Sequence, residues 1–310
     1  IAGVSGAAAG IFKFDSDGNQ LWNSTVFGST YSNSLLGVAV DDANNIYVTG
    51  EERNELGAYY GPGNDDGSEP DILLLKLDSS GNILWNRTWG GNQSDEGKDI
   101  AIDSNGYIYV IGTEESFPGA DYGVGDFSND DIIIIKFDSD GNQVWNKSWG
   151  GGDGDIAESV AVDSNNDIYI AGWGFSYTGA DYGDGGSGDI YLLKLNSSGD
   201  LLWDREWGGS NTELGNAIAI DQQDNIYVAG RESSYSGADY GPGGGQDIVL
   251  IKFNSSGHQQ WNRTWGGSES DEARGITLAD DGSIYTVGDT YSYGACVPNS
   301  CENLALVKWS

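Results

Sequence analysis

The chain has 310 residues, of which 38% are hydrophobic and 12% aromatic, so it carries enough apolar side chains for a core and is not a disordered acidic polymer. Its 48 acids against 14 bases give a formal net charge of −34, which repels nucleic acid and anionic lipid and favours cations or cationic partners. No apolar run reaches the roughly 18 residues of a membrane helix; Met is absent even at position 1, which predicts a processed or truncated start such as a removed signal peptide.

Residues 11–26 read as two strands around the turn Asp15-Ser-Asp-Gly-Asn19. A unit of four strands, a to d, then repeats, and residues 97–149 are its specimen. Gly-Lys-Asp-Ile-Ala-Ile-Asp (97–103) is strand a, turned by Ser104-Asn105-Gly106 into strand b, Tyr107-Ile-Tyr-Val-Ile-Gly112. A long Gly/Asp/Tyr loop leads to strand c, Asp131-Ile-Ile-Ile-Ile-Lys-Phe137. Asp138-Ser-Asp-Gly-Asn142 turns it into strand d, Gln143-Val-Trp-Asn-Lys-Ser-Trp149, closed by Gly150-Gly151. Short Asn/Asp/Gly turns between β-branched and aromatic runs are hairpin signals, and no segment has the 3.6 period of a helix.

Strand d carries Trp22, Trp85, Trp145, Trp203 and Trp261, spaced 63, 60, 58 and 58 residues apart, each nine residues after a lysine. Such self-similarity predicts a repeat architecture, and four antiparallel strands per repeat predict the blade of an all-β propeller over 1–310 as one domain. These five Trp are expected to wedge between neighbouring blades, and the lysines to lay their stems on Trp or Tyr with the ammonium near an acid. Strands a and d occur five times and strand c six times. That count favours five blades, with the N-terminal strand d completing the last blade and one strand c left to pair with a neighbouring molecule; six blades with incomplete ends are the alternative.

The c–d hairpin Lys-Phe-Asp-Ser-Asp-Gly-Asn-Gln-Val-Trp (136–145), then Trp-Gly-Gly (149–151), Ala-Val-Asp-Ser (161–164), Ile-Tyr-Ile-Ala-Gly (168–172) and Gly-Ala-Asp-Tyr-Gly (179–183) resemble the SBBP β-propeller repeat family, and the match runs along nearly the whole chain. The spacing Asp-x-x-Gly-x-x-x-Trp is also similar, in architecture only, to the tryptophan-docking motif of quinoprotein-like propellers. The SBBP resemblance implies secreted or surface proteins of archaea and bacteria, with protein or surface contact and no fixed chemistry.

Sequons begin at Asn23, Asn86, Asn92, Asn146, Asn196, Asn254 and Asn262, and four of them directly follow a docking Trp, where strand alternation turns the Asn to the opposite face. They predict N-glycosylation, weakly at Asn196 and Asn254 because Asn is favoured in turns, against the reading that the four repeated sequons are inherited by duplication without a glycan. Cys296 and Cys301 close a short loop suited to a disulfide in an oxidising compartment. Asp95, Asp121, Asp155, Asp181, Asp239 and Asp271 lie in loops whose carboxylates and carbonyls suit Ca²⁺, against the plainer reading that they cap their own turns. The single His258 has no visible triad partners, and the loops stay alike from repeat to repeat. These features predict a non-enzymatic, extracellular, structural or adhesive unit assembling through its spare strand, with protein or glycan partners. A carbohydrate-binding propeller is the alternative, and a glycosidase lies behind it.

Overall fold

The computed structural model describes residues 2–5, 8–25, 33–53, 69–115, 122–123, 130–151, 153–175, 181–183, 188–234, 239–241, 244–293 and 303–309. Among these, every regular element is a strand. The chain divides into two compact units, Ile1–Ala157 and Glu158–Ser310.

In the first unit, β1 (Ala2–Ser5), β2 (Ala8–Phe14) and β3 (Gln20–Thr25) form a three-stranded sheet. The second sheet is the meander β4 (Ser34–Val40), β5 (Ile46–Glu52), β6 (Asp71–Leu77) and β7 (Ile83–Trp89). The third holds β8 (Asp95–Ile102), β9 (Ile108–Glu114), β11 (Asp131–Phe137) and β12 (Gln143–Gly150) in the same antiparallel order, with the two-residue β10 (Tyr122–Gly123) parallel to the outer strand.

The fourth sheet repeats that plan with β13 (Asp155–Val162), β14 (Ile168–Gly174), β15 (Tyr182–Gly183), β16 (Asp189–Leu195) and β17 (Leu201–Gly208), the short β15 again lying parallel to the outer strand. It is followed in the second unit by β18 (Leu214–Ile220), β19 (Ile226–Glu232), β20 (Asp247–Phe253) and β21 (Gln259–Trp265). The sixth sheet has three strands, β22 (Asp271–Leu278), β23 (Ile284–Thr290) and β24 (Asn303–Trp309). The four-strand repeat read from the sequence is thus the sheet observed. The expected hairpin of residues 11–26 is the pair β2–β3, and β1 adds a third strand to it that the sequence did not announce.

Strand c is buried on both faces because sheets stack face to face. In β20, Val249, Ile251 and Phe253 pack with Leu192 and Trp207 of the fourth sheet, while Ile248 and Leu250 pack with Ile284, Val307 and Trp309 of the sixth. Two-sided burial is why these strands read as continuous apolar runs without alternation. The a–b turns all need one residue with positive φ; it is Asn44, Gly106, Asn166, Asp224 or Gly282, the residue types that tolerate that region best.

Candidate functional site

A network of four side chains recurs in each full sheet. Tyr47, Tyr109, Tyr169 and Tyr227 of strand b donate their hydroxyls to Asp41, Asp103, Asp163 and Asp221 at 3.0–3.2 Å. The strand-c ammonium lies over the same ring, at 5.0 Å for Lys76 on Tyr47 and 4.8 Å for Lys194 on Tyr169. The strand-d indole meets that ring edge-on or tilted, as Trp85 does Tyr47 at 6.1 Å and Trp203 does Tyr169 at 5.9 Å. Burial and the Asp41 charge push the Tyr47 phenol up, so it stays a donor.

The same Trp also contacts the next sheet. Trp22 Nε1 donates to the Ser79 carbonyl at 3.2 Å, and its ring lies against Gly81. Trp85 lies on Gly141, and Trp203 on Gly257. Lys13 and Lys76 reach the same turns, donating to the Ser79 and Ser139 carbonyls. Arg87 and Arg205, two residues past the Trp, stack over its ring at 5.0 and 5.2 Å and donate to the Gly141 and Gly257 carbonyls. Trp145 meets Tyr109 at 6.1 Å, and Trp261 meets Tyr227 at 6.1 Å. The arginines were not foreseen from the sequence; their signal was Arg two positions after Trp in three repeats.

The turns bind themselves. Asp15, Asp78 and Asp138 accept from the backbone N–H groups two and four residues ahead. The Asn19 side chain holds the Asp15 carboxyl below its ordinary range. Asn196 and Asn254 fill the same role with their amide oxygens. Of the other sequon residues, Asn23, Asn92 and Asn146 are exposed, and Asn86 and Asn262 are half-buried. Asn23, Asn146 and Asn262 each accept from the Gln three residues before.

The six acids expected to hold calcium do not converge. Asp95, Asp155 and Asp271 are buried at equivalent places, each accepting at 2.8 Å from the second Gly of Trp-Gly-Gly. Asp181 accepts from Glu206 N, and Asp239 from Thr264 N, so both cap neighbouring backbone. Asp121 lies outside the described residues, as do Cys296 and Cys301. Among the described residues no group of three or more His, Cys, Asp or Glu is arranged to hold a metal.

What the acids do form is pairs. A Cβ on Gly90 would collide with Asp71 Oδ1 and sit 2.9 Å from Asp95 Oδ2; on Gly266 it would meet Asp247 and Asp271 in the same way. These crowded carboxylates explain why Trp is followed by Gly. Asp71 is 5% exposed, its Oδ1 has no hydrogen-bond partner, and burial followed by the Glu52 charge pushes its carboxyl up to about 6. Burial and the Asp271 charge likewise raise Asp247. Asp71 and Asp247 were missed in the sequence because a lone acid at the start of an apolar strand looks like a turn residue; its recurrence at 131 and 189 was the available signal.

Comparison with known proteins agrees with this architecture. The chain is 30% identical over 164 residues to the regulatory protein FlaEY of Caulobacter vibrioides, and 27% identical over 117 residues to an uncharacterized WD repeat-containing protein of Acanthamoeba polyphaga mimivirus. These matches cover 49% and 35% of this chain, but only 17% and 8% of those proteins. Among solved structures, it is similar to a glucose dehydrogenase (TM-score 0.50, 12% identity, 91% of this chain and 86% of that one). It is also similar to a puromycin hydrolase (TM-score 0.52, 11% identity, 97% of this chain and 40% of that one).

The expectation of a non-enzyme is corrected by this finding. Both structural neighbours are enzymes, so a regular stack of alike sheets does not exclude catalysis. The reason is physical: reacting groups sit on loops that the sheets merely position. At such identities the likeness shows the fold and assigns no reaction. The fold is that of the β-propellers, and the chain carries the SBBP beta-propeller repeat, matched at residues 89–113.

Proposed function

We propose that this chain is a structural and adhesive unit displayed outside a prokaryotic cell, N-glycosylated on its outer strands. The observation that carries this reading is the sheet-to-sheet lock. Trp22 on Gly81, Trp85 on Gly141 and Trp203 on Gly257 join successive sheets by one device, which suits a building module extended by repetition. Asn23 and Asn146 lie on outer strands with their side chains exposed, as a sugar acceptor requires. The hydroxyl residues Ser148 of the Asn146 sequon and Thr88 of the Asn86 sequon are buried, so sugar would be added before the strand folds into its sheet. Weak calcium binding at the carboxylate pairs belongs to the same proposal and suits an acidic extracellular module.

The test is the intact mass of protein purified from its native source, with peptide mapping. Hexose-bearing peptides containing Asn23 or Asn146 are expected. Unmodified peptides at all seven sequons, or recovery in the cytoplasmic fraction, would remove the reading. A glycan array with calcium present tests the alternative: sugar binding in proportion to the number of sheets would replace the building role with a lectin role.

A further inference from the structure

Among the described residues, strands c and d are joined by turns at 15–19, 78–82, 138–142, 196–200 and 254–258, and in the first four the first and fifth side chains are tied to each other. Asn19 donates from Nδ2 to Asp15 at 2.9 Å, Asn82 to Asp78 at 2.8 Å and Asn142 to Asp138 at 2.8 Å. In the fourth turn the two residue types change places: Asn196 comes first, and its Nδ2 donates to Asp200 Oδ2 at 3.0 Å. The fifth turn breaks the pattern, with Asn254 first and His258 fifth. Backbone N–H groups of Ser256 and His258 hold Asn254 Oδ1 at 3.1 and 3.0 Å, as those of Ser198 and Asp200 hold Asn196 Oδ1 at 2.9 and 3.0 Å. Asn254 Nδ2 is left with no acceptor among the described residues.

The fourth and fifth turns are otherwise a matched pair. Asn-Ser-Ser-Gly runs from 196 to 199 and again from 254 to 257, so each turn opens on the same sequon. Gly199 and Gly257 share positive φ, +86° and +77°. Every contact in this comparison lies within one five-residue turn. What differs is the engagement of the nitrogen that takes the sugar. In N-glycosylation a separate transferase presents a sugar linked to phosphate at its anomeric carbon, and Nδ2 bonds to that carbon. The carbon–oxygen bond to phosphate breaks with its electron pair on the departing phosphate, and one Nδ2 proton passes to a base of the transferase. A nitrogen held by a carboxylate must first give up a charge-assisted hydrogen bond. Sugar on Asn196 therefore opposes closure of its own turn, and sugar on Asn254 does not.

We propose that the folded protein carries sugar at Asn254 and not at Asn196, Asp200 closing the one site and His258 leaving the other open. The single histidine thereby gains a place, since it brings no carboxylate or carboxamide oxygen to the position where Asp200 holds the nitrogen. The same rule admits three sequons of strand d. Gln20, Gln143 and Gln259 donate to the Oδ1 of Asn23, Asn146 and Asn262, which leaves each Nδ2 unengaged among the described residues. The proposal deepens the glycosylation reading, rests on it, and names the residue that selects between two identical sequons.

Peptide mapping of folded, soluble protein from the native source reads the occupancy of each sequon. Asn254 is expected to exceed Asn196 about tenfold or more, the ratio that a charge-assisted hydrogen bond sustains. Exchange of the fifth residues is expected to exchange the result: Asp200→His opens Asn196, and His258→Asp closes Asn254. Asp200→Asn keeps an acceptor oxygen without the charge and is expected to leave Asn196 closed. Its opening would trace the effect to repulsion of the transferase and overturn the proposal. Circular dichroism checks that each variant keeps the fold. Sugar at none of the seven sequons would remove the glycosylation reading and this inference with it. Sugar at Asn23 or Asn146, with equal occupancy of Asn196 and Asn254 (nil included) or with occupancies that ignore the exchange, would overturn this inference alone.

Discussion

Arg87 donates from Nε to the Gly141 carbonyl at 2.9 Å, joining the outer strand of one sheet to the turn of the next across 54 positions of sequence. Its Nη2 meets the Asp140 carbonyl at 2.9 Å, and its guanidinium carbon lies 5.0 Å over the Trp85 ring. One planar cation thus satisfies two carbonyls while covering an indole. Arg87→Ala is expected to cost about 1–2 kcal/mol in urea denaturation, and Arg87→Lys to recover less than half, because an ammonium cannot span both carbonyls. Full recovery by Lys would show that charge alone matters there.

Gly81 and Gly18 offer a controlled pair. Both turns hold glycine at positive φ, +86° and +82°, but Gly81 faces the Trp22 ring at 3.0 Å from an ideal Cβ, while Gly18 has nothing within 4 Å. Gly18→Ala is expected to cost about 1 kcal/mol for backbone strain alone. Gly81→Ala is expected to cost about 2–3 kcal/mol, the excess reporting the displaced indole. Thermal or chemical midpoints of the two variants check this, and equal losses would mean that the Trp22 contact contributes nothing.

Asp71 makes stability depend on pH in a stated direction. Its folded carboxyl titrates at about 6 against an ordinary 3.8, so the folded chain holds that proton more tightly than the unfolded chain does. Stability from this group is therefore full below about pH 4, falls as pH rises to about 6, and is level above that. Asp71→Asn is expected to remove this slope and to raise stability at pH 7 by about 2 kcal/mol. Denaturant titrations of both proteins from pH 4 to 7 are the measurement, and a parallel pH profile in the variant would contradict the assignment.

Cations should act on the same pairs. Salt of any kind is expected to raise the unfolding midpoint, because the chain carries −34 charges. Calcium chloride is expected to exceed sodium chloride at equal ionic strength in the millimolar range, by bridging pairs such as Asp71 with Asp95 and Asp247 with Asp271. The excess should shrink in Asp71→Asn. Identical midpoints in the two salts would leave only screening.

Much of the fold was legible because its determinants are local. The Asp-Ser-Asp-Gly-Asn turn carries its own hydrogen bonds within five residues, as Asp138 shows with Asp140 and Asn142. Strand c announced two-sided burial through its unbroken Ile and Leu. The candidate site was less legible. Asn196 and Asn254 match a sequon and were also read as turn residues; the turn role is the one their Oδ1 fills, since Asn and Asp offer the same acceptor oxygen. The exclusion of catalysis also failed, because regular sheets constrain the scaffold and leave the loops free.

The sequence by itself determined the strand order, the repeat and the hairpin turns, since period-two patterning and positive-φ residues act over a few neighbours. Only the tertiary structure decided that β1 adds a strand to the first sheet and that Asp71 is crowded against Asp95 beside Gly90. Those outcomes depend on which sheet face arrives opposite which, a matter of packing between segments about sixty residues apart that no local pattern encodes.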